Sequence, residues 1–199
     1  MLEVCAVCAA PNGGVAYQPV TLVLRSAQII TLFGASGVGK SQFLRALADL
    51  APHQGEVRLD GQPQTAFKPA AWRQVVGYVP AEPAWWADSA RAHFAEAPDP
   101  RWLEALALAP SLLDTPVEHL STGERQRLAL LRALVLKPRV LLLDEPTANL
   151  DAHNAARMRL LVQHYVREQA AAALWVSHDA EERRVLGGES IELTAAESI

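Results

Sequence analysis

Gly34-Ala35-Ser36-Gly37-Val38-Gly39-Lys40-Ser41 decides how the rest of the chain is read. It matches G-x-x-x-x-G-K-[ST], a loop whose glycines let the backbone wrap closely around a phosphate. Its setting fits: Ile29-Ile30-Thr31-Leu32-Phe33 before it reads as a buried strand, and Phe43-Leu44-Arg45-Ala46-Leu47 after it as a helix. Consecutive N–H groups in such a loop make an anion-binding nest, and the helix start adds partial positive charge. Lys40 supplies a point charge to the β- and γ-phosphates, and the Ser41 hydroxyl can ligate Mg²⁺. The loop calls for a nucleoside triphosphate without saying which machine uses it.

Outward from the loop, apolar stretches alternate with helical patterns in a βα rhythm that predicts an α/β domain with a mostly parallel sheet. Strands are expected at 2–8, 20–25, 28–33, 56–60, 75–79, 139–144, 173–177 and 190–194, and helices at 39–50, 101–108, 124–136, 152–169 and 179–186. Val57-Arg58-Leu59-Asp60-Gly61 alternates and then turns, so the early strands are expected to form an antiparallel side sheet. Prolines 80, 83, 98, 100 and 110 and three tryptophans crowd the stretch before Pro116, which reads as an inserted, mostly helical lobe. The expected organisation is one unit over 1–199, with 1–80 and 120–199 as core and 81–119 as lobe.

The 199 residues carry 18 basic and 22 acidic side chains, a formal net charge of −4, which argues against a chain that coats nucleic acid or anionic lipid. Apolar runs such as Val140 to Leu143 fall far short of the ~20 residues needed to span a bilayer. The Met1-Leu2-Glu3-Val4-Cys5 start lacks a signal peptide's basic region, so a soluble, cytoplasmic chain is expected. Cys5 and Cys8 lie on an apolar, strand-like segment, where residues three apart point to opposite faces. They read as buried thiols rather than a redox or zinc pair.

A second set of polar residues faces the loop in sequence order. Val140-Leu141-Leu142-Leu143-Asp144-Glu145 is a buried strand ending in two acids, tolerable if the acids sit at the sheet's C-terminal edge, where ligands of open α/β sheets gather. Asp144 is then placed to hold Mg²⁺ and Glu145 to polarise an attacking water. Upstream, Leu120-Ser121-Thr122-Gly123-Glu124-Arg125-Gln126-Arg127 opens a periodic helix, and Ser121 with the free N–H groups beside Gly123 forms another helix-start anion site. A second such site in one small chain makes sense if it serves a neighbouring subunit's nucleotide. Ala148-Asn149-Leu150-Asp151 and Val176-Ser177-His178-Asp179 follow downstream. A lone histidine is more often structural, but His178 closes an apolar strand beside the candidate site.

The ordered set GASGVGKS, LSTGERQR, VLLLDEP, ANLD and VSHD resembles the nucleotide-binding subunit of ATP-binding cassette (ABC) transporters, over residues 2–194. The resemblance implies a P-loop NTPase core that hydrolyses ATP with Mg²⁺. Gly34, Ala35, Ser36, Gly37, Val38, Gly39, Lys40, Ser41 and Gln42 would bind ATP, Ser41 and Asp144 the metal, and Glu145, His178 and Lys40 would serve catalysis. Ser121, Thr122, Gly123 and Glu124 form the family signature and act in trans, while Asp151 makes a dimer contact. Two cassettes would stack head-to-tail, as a homodimer when ATP-bound, and drive a separate transmembrane permease from the cytoplasmic face of the membrane. No nucleic acid is expected.

The chain departs from that pattern in several places. Gln42 stands where a hydroxyl residue is usual, Thr122 replaces a glycine and Glu124 a glutamine, so bulk and charge near the trans phosphate are expected to weaken ATP-driven closure. Gly77-Tyr78-Val79-Pro80 leads to Ala81 where the family presents a glutamine; Glu82, one position later, is the candidate substitute. The adenine-stacking aromatic belongs nearly thirty residues before the lysine, near Pro11, which leaves Tyr17 as an alternative. Trp85 and Trp86 either fill the lobe or pack on a membrane partner. No regulatory domain is expected in the residues after His178. A soluble ABC-type ATPase uncoupled from transport is the alternative, although the long insertions or tandem cassettes of such proteins are missing here. A kinase is disfavoured because no acceptor site replaces LSTGERQR.

Overall fold

The structure, a computed structural model, describes residues 1–9 and 17–196. A small antiparallel sheet comprises β1 (Leu2–Ala9), β2 (Val20–Leu24), β4 (His53–Leu59) and β5 (Gln62–Pro63) in the order β2-β1-β4-β5. The main sheet, all parallel, runs β6-β7-β8-β3-β9, with β3 (Ile29–Phe33), β6 (Val76–Val79), β7 (Val140–Asp144), β8 (Ala172–Val176) and β9 (Ser190–Glu192). Every residue of β7 and β8 is buried, as befits strands covered on both faces.

Alternation along those strands feeds two cores. Leu142, Leu174 and Val176 pack on the side of the antiparallel sheet and α1 (Lys40–Leu47). Leu141, Leu143, Ala173 and Trp175 pack on the other side, with α4 (Thr122–Val135), α5 (Ala152–Glu168) and apolar residues of 81–119. A period of 2 makes neighbours on one strand serve opposite cores.

Several elements differ from expectation. Residues 69–75 form a helix, α2 (Pro69–Val75), opened by Pro69 and pinned by the buried Trp72, whose Nε1–H donates to Leu47 O at 2.8 Å. Its seven residues are too few to show a helical period in the sequence. Residues 81–119 are helical in short pieces: α3 (Pro100–Ala105) and 3₁₀ turns at 90–93, 110–113 and 117–119. Prolines remove the N–H groups a longer helix needs. The helix expected at 124 starts at Thr122, because Ser121 caps it. The last helix is α6 (Ala180–Leu186).

Strand β4 begins at His53, earlier than expected, because Gly55 adopts φ 84° opposite a bulge in β1. A Cβ there would lie 2.3 Å from Ala6 O, so only glycine fits. The same bulge shifts the register between Cys5 and Cys8. Cys8 is buried as expected, whereas Cys5 is exposed, a correction to the paired buried thiols.

Candidate functional site

Register places the site. Leu32 and Asp144 both pair with Val176, so the ends of β3, β8 and β7 are level. Gly34 follows the first, Ser177 and His178 the second and Glu145 the third. Three motifs far apart in sequence thus meet at one C-terminal sheet edge.

Within the glycine loop, Gly34, Gly37 and Gly39 all have positive φ, and a Cβ on Gly34 would come within 2.4 Å of Leu193 O. Lys40 folds its ammonium back over the loop, donating to Gly34 O and Ala35 O at 3.0 Å each. Burial holds the Lys40 pKa below its usual value, against the opposing pull of the Glu145 and Asp144 carboxylates. A hollow of about 330 Å³ is lined by Ser36, Gly37, Gly39, Lys40, Ser41 and Gln42 on one side and by Glu145 and His178 on the other. Val38, expected in the binding set, turns its side chain into the first core, so only its backbone could serve a phosphate.

Glu145 sits at φ 46°, a region non-glycine residues rarely occupy, as the chain leaves β7. Its Oε1 lies 2.7 Å from His178 Nε2, which brings the imidazole and the carboxylate into direct contact. Asp144 is buried and its Oδ2 accepts from Tyr78 O–H at 3.0 Å. Burial first, and then the Asp144 charge, push the Tyr78 phenol up to about 12, so it remains a donor at neutral pH. Sequence reasoning missed Tyr78. Its one signal was a polar tip on a strand otherwise apolar at that end.

The signature residues lie elsewhere. None of Ser121, Thr122, Gly123 or Glu124 lines the hollow beside Lys40. Ser121 caps α4 in a reciprocal box: Ser121 Oγ accepts from Glu124 N at 3.2 Å, and Glu124 Oε2 accepts from Ser121 N at 2.8 Å and from the Ser121 hydroxyl at 2.7 Å. A Cβ on Gly123 would come within 3.2 Å of Leu150 Cδ2, so the helix start packs on the ANLD loop. Asp151 in that loop caps α5, accepting from Asn154 N and Nδ2 at 2.9 and 2.6 Å.

Neither Ala81 nor the exposed Glu82 lines the hollow. Tyr17 is buried edge-on against Phe43, ring centroids 5.8 Å apart, so it belongs to the core and presents no face to a base. The position near Pro11 lies outside the described residues. The tryptophan pair divides: Trp85 packs on the second core, while Trp86 is 74% exposed. The Arg132 guanidinium stands over both rings, at 4.7 and 5.2 Å.

A parallel sheet whose inner strand β3 enters a glycine loop and a lysine-headed helix, with acids closing a second strand, defines a P-loop NTPase. The model of the ABC transporter family matches residues 17–148, and the chain belongs to that family, as its ATP-hydrolysing cassette. It is 37% identical over 171 residues to the probable iron export ATP-binding protein FetA of Escherichia coli K12, covering 80% of this chain and 76% of FetA. It is 38% identical over 173 residues to the aliphatic sulfonates import ATP-binding protein SsuB 2 of Paracoccus denitrificans, covering 83% and 66%. The match to the E. coli ATP-binding/permease protein CydD spans 36% of that longer chain. A dimeric, ADP- and Pi-bound structure of the ATP-binding cassette MJ0796 shares the fold, with TM-score 0.84 and 22% identity over 98% of this chain and 94% of that one. Among the described residues, no helix is long and apolar enough to cross a membrane.

Proposed function

We propose that this chain is the subunit that powers a transporter by binding and hydrolysing Mg-ATP between two head-to-tail copies. The carrying observation is the Glu145–His178 pair on the wall of the hollow opposite Lys40. Lys40 would exchange the Gly34 and Ala35 carbonyls for β- and γ-phosphate oxygens, a charge-assisted contact that replaces two neutral ones. Glu145 would take the proton of the attacking water, while His178, in contact with that carboxylate, holds it in place. The donor set fits Mg²⁺: the Ser41 hydroxyl and the Asp144 carboxylate are hard oxygens, and this cation takes one or two carboxylates plus substrate phosphates. Bound there, it would neutralise charge on the phosphates.

The signature's separation from its own chain's Lys40 supports completion of the site by a second cassette. Ser121 and Gly123 would then face the partner's phosphate loop, with Asp151 at the contact. Residues 1–199 would work as one ABC ATPase unit, with 81–119 as the lobe that meets a permease at the cytoplasmic face of the membrane. The relatives' names attach to transport in both directions, so the cargo would be chosen by the permease. Lys40→Ala should abolish ATP binding in calorimetry. Glu145→Gln should retain binding, lose about 10²–10⁴-fold in turnover and dimerise in Mg-ATP by light scattering. Unchanged affinity in the first variant, or normal turnover in the second, overturns the reading.

A further inference from the structure

We infer that Glu182 is a positioning residue for Glu145 and His178, acting through Thr147. The inference rests on the reading of Glu145 as the base. Glu182 lies on α6 and is 6% exposed. Its Oε1 accepts from the Thr147 hydroxyl at 2.7 Å and from Arg159 Nη1 at 3.1 Å, and its Oε2 accepts from Trp175 Nε1 at 3.2 Å. The three donors come from three places: the loop after β7, α5, and β8. The two carboxylate oxygens can accept from all three, whereas an amide would turn its own N–H₂ against at least one of them.

Thr147 stands two residues after Glu145, and Glu182 four after His178. One buried carboxylate therefore ties together the two loops that carry the pair. The tie matters because of what lies behind it. Glu145 and His178 also line a second hollow, of about 490 Å³, whose wall includes Thr147, Arg159 and Glu182. Side chains between two hollows have room to fall back from the phosphate side, and Glu145 holds a backbone conformation that persists only where its surroundings enforce it. Stability alone does not account for the network, since buried ion pairs are often matched by apolar replacements.

The test uses the full chain with saturating Mg-ATP. Thr147→Val keeps shape and removes the hydroxyl; Thr147→Ser keeps the hydroxyl. Thr147→Val should lower kcat about ten-fold, the effect of a lost hydrogen bond to a charged group. Its ATP affinity by calorimetry should stay within about two-fold, because the phosphate loop is untouched. Thr147→Ser should restore kcat, and Thr147→Ala should repeat the loss should the valine variant fold poorly. Parental kcat in the folded valine or alanine variant, or equal loss in valine and serine, overturns the inference. Glu145→Gln in the same assay separates the two readings. If it turns over normally, the base assignment fails; if it is inactive while Thr147→Val is unimpaired, only the role of Glu182 fails.

Discussion

Ala81 stands where the family resemblance expects a glutamine, and under the proposed function its methyl group offers no oxygen to a metal. The structure leaves Glu82 exposed and outside the hollow, so it offers no replacement. Ala81→Gln should therefore tighten the Mg²⁺ dependence of turnover or raise its rate, since a neutral oxygen returns to a cation that prefers near-octahedral oxygen coordination. Glu82→Ala should change neither. A Mg²⁺ titration of both variants and their combination checks this, and a large loss in Glu82→Ala would give Glu82 the role instead. At this scale the phosphate loop and the Asp144-Glu145 pair were legible, because each is contiguous and its chemistry dictates the spacing. The Tyr78 hydrogen bond to Asp144 was not: its partners are 66 residues apart and meet only through strand pairing. Tyr17 misled for a related reason, since an aromatic looks the same in sequence whether it packs or stacks.

Among the elements, the start of α4 joins stability to the proposed trans contact. The Ser121 hydroxyl, followed by the Ser121 backbone N–H, holds the Glu124 carboxyl below its usual pKa. A depressed carboxylate contributes stability that is present above its unfolded value, about 4.3, and is lost as pH falls through the folded value. Glu124→Gln keeps a capping side chain but removes the charge beside the helix N-terminus. It should cost about 0.3–1 kcal/mol at pH 7 and nothing measurable once both forms are neutral in acid, read from urea unfolding across pH. The same substitution frees the Ser121 hydroxyl from a charged acceptor, so ATP-driven dimerisation should strengthen alongside the small loss of stability. The helix itself was legible from its period. Its cap at Ser121 was legible too, although the period alone put the first turn at 124 and not at Thr122.

The whole molecule rests on two cores separated by the parallel sheet, and α2 shows how far one side chain extends that arrangement. Trp72 is fully buried, stands edge-on to Phe67 at 5.1 Å and satisfies a carbonyl at the end of α1. Trp72→Ala should cost ~3–5 kcal/mol in guanidinium unfolding, because it leaves a cavity and removes the shorter of two hydrogen bonds to Leu47 O, the other coming from Gln64 Nε2 at 3.3 Å. A loss below about 1 kcal/mol would mean that α2 collapses readily onto its neighbours. The sequence by itself determined the fold class, the phosphate loop and the acids of the second strand. Strands covered on both faces read as unbroken apolar runs, and a phosphate cradle needs its glycines and lysine in fixed local order. The tertiary structure alone decided the order β6-β7-β8-β3-β9, the meeting of Glu145 with His178, a hollow beside Lys40 that its own signature does not line, and the burial of Glu182 among donors from three elements. Those depend on pairings between residues remote in sequence, where a long side chain's partner is set by packing and not by its neighbours along the chain.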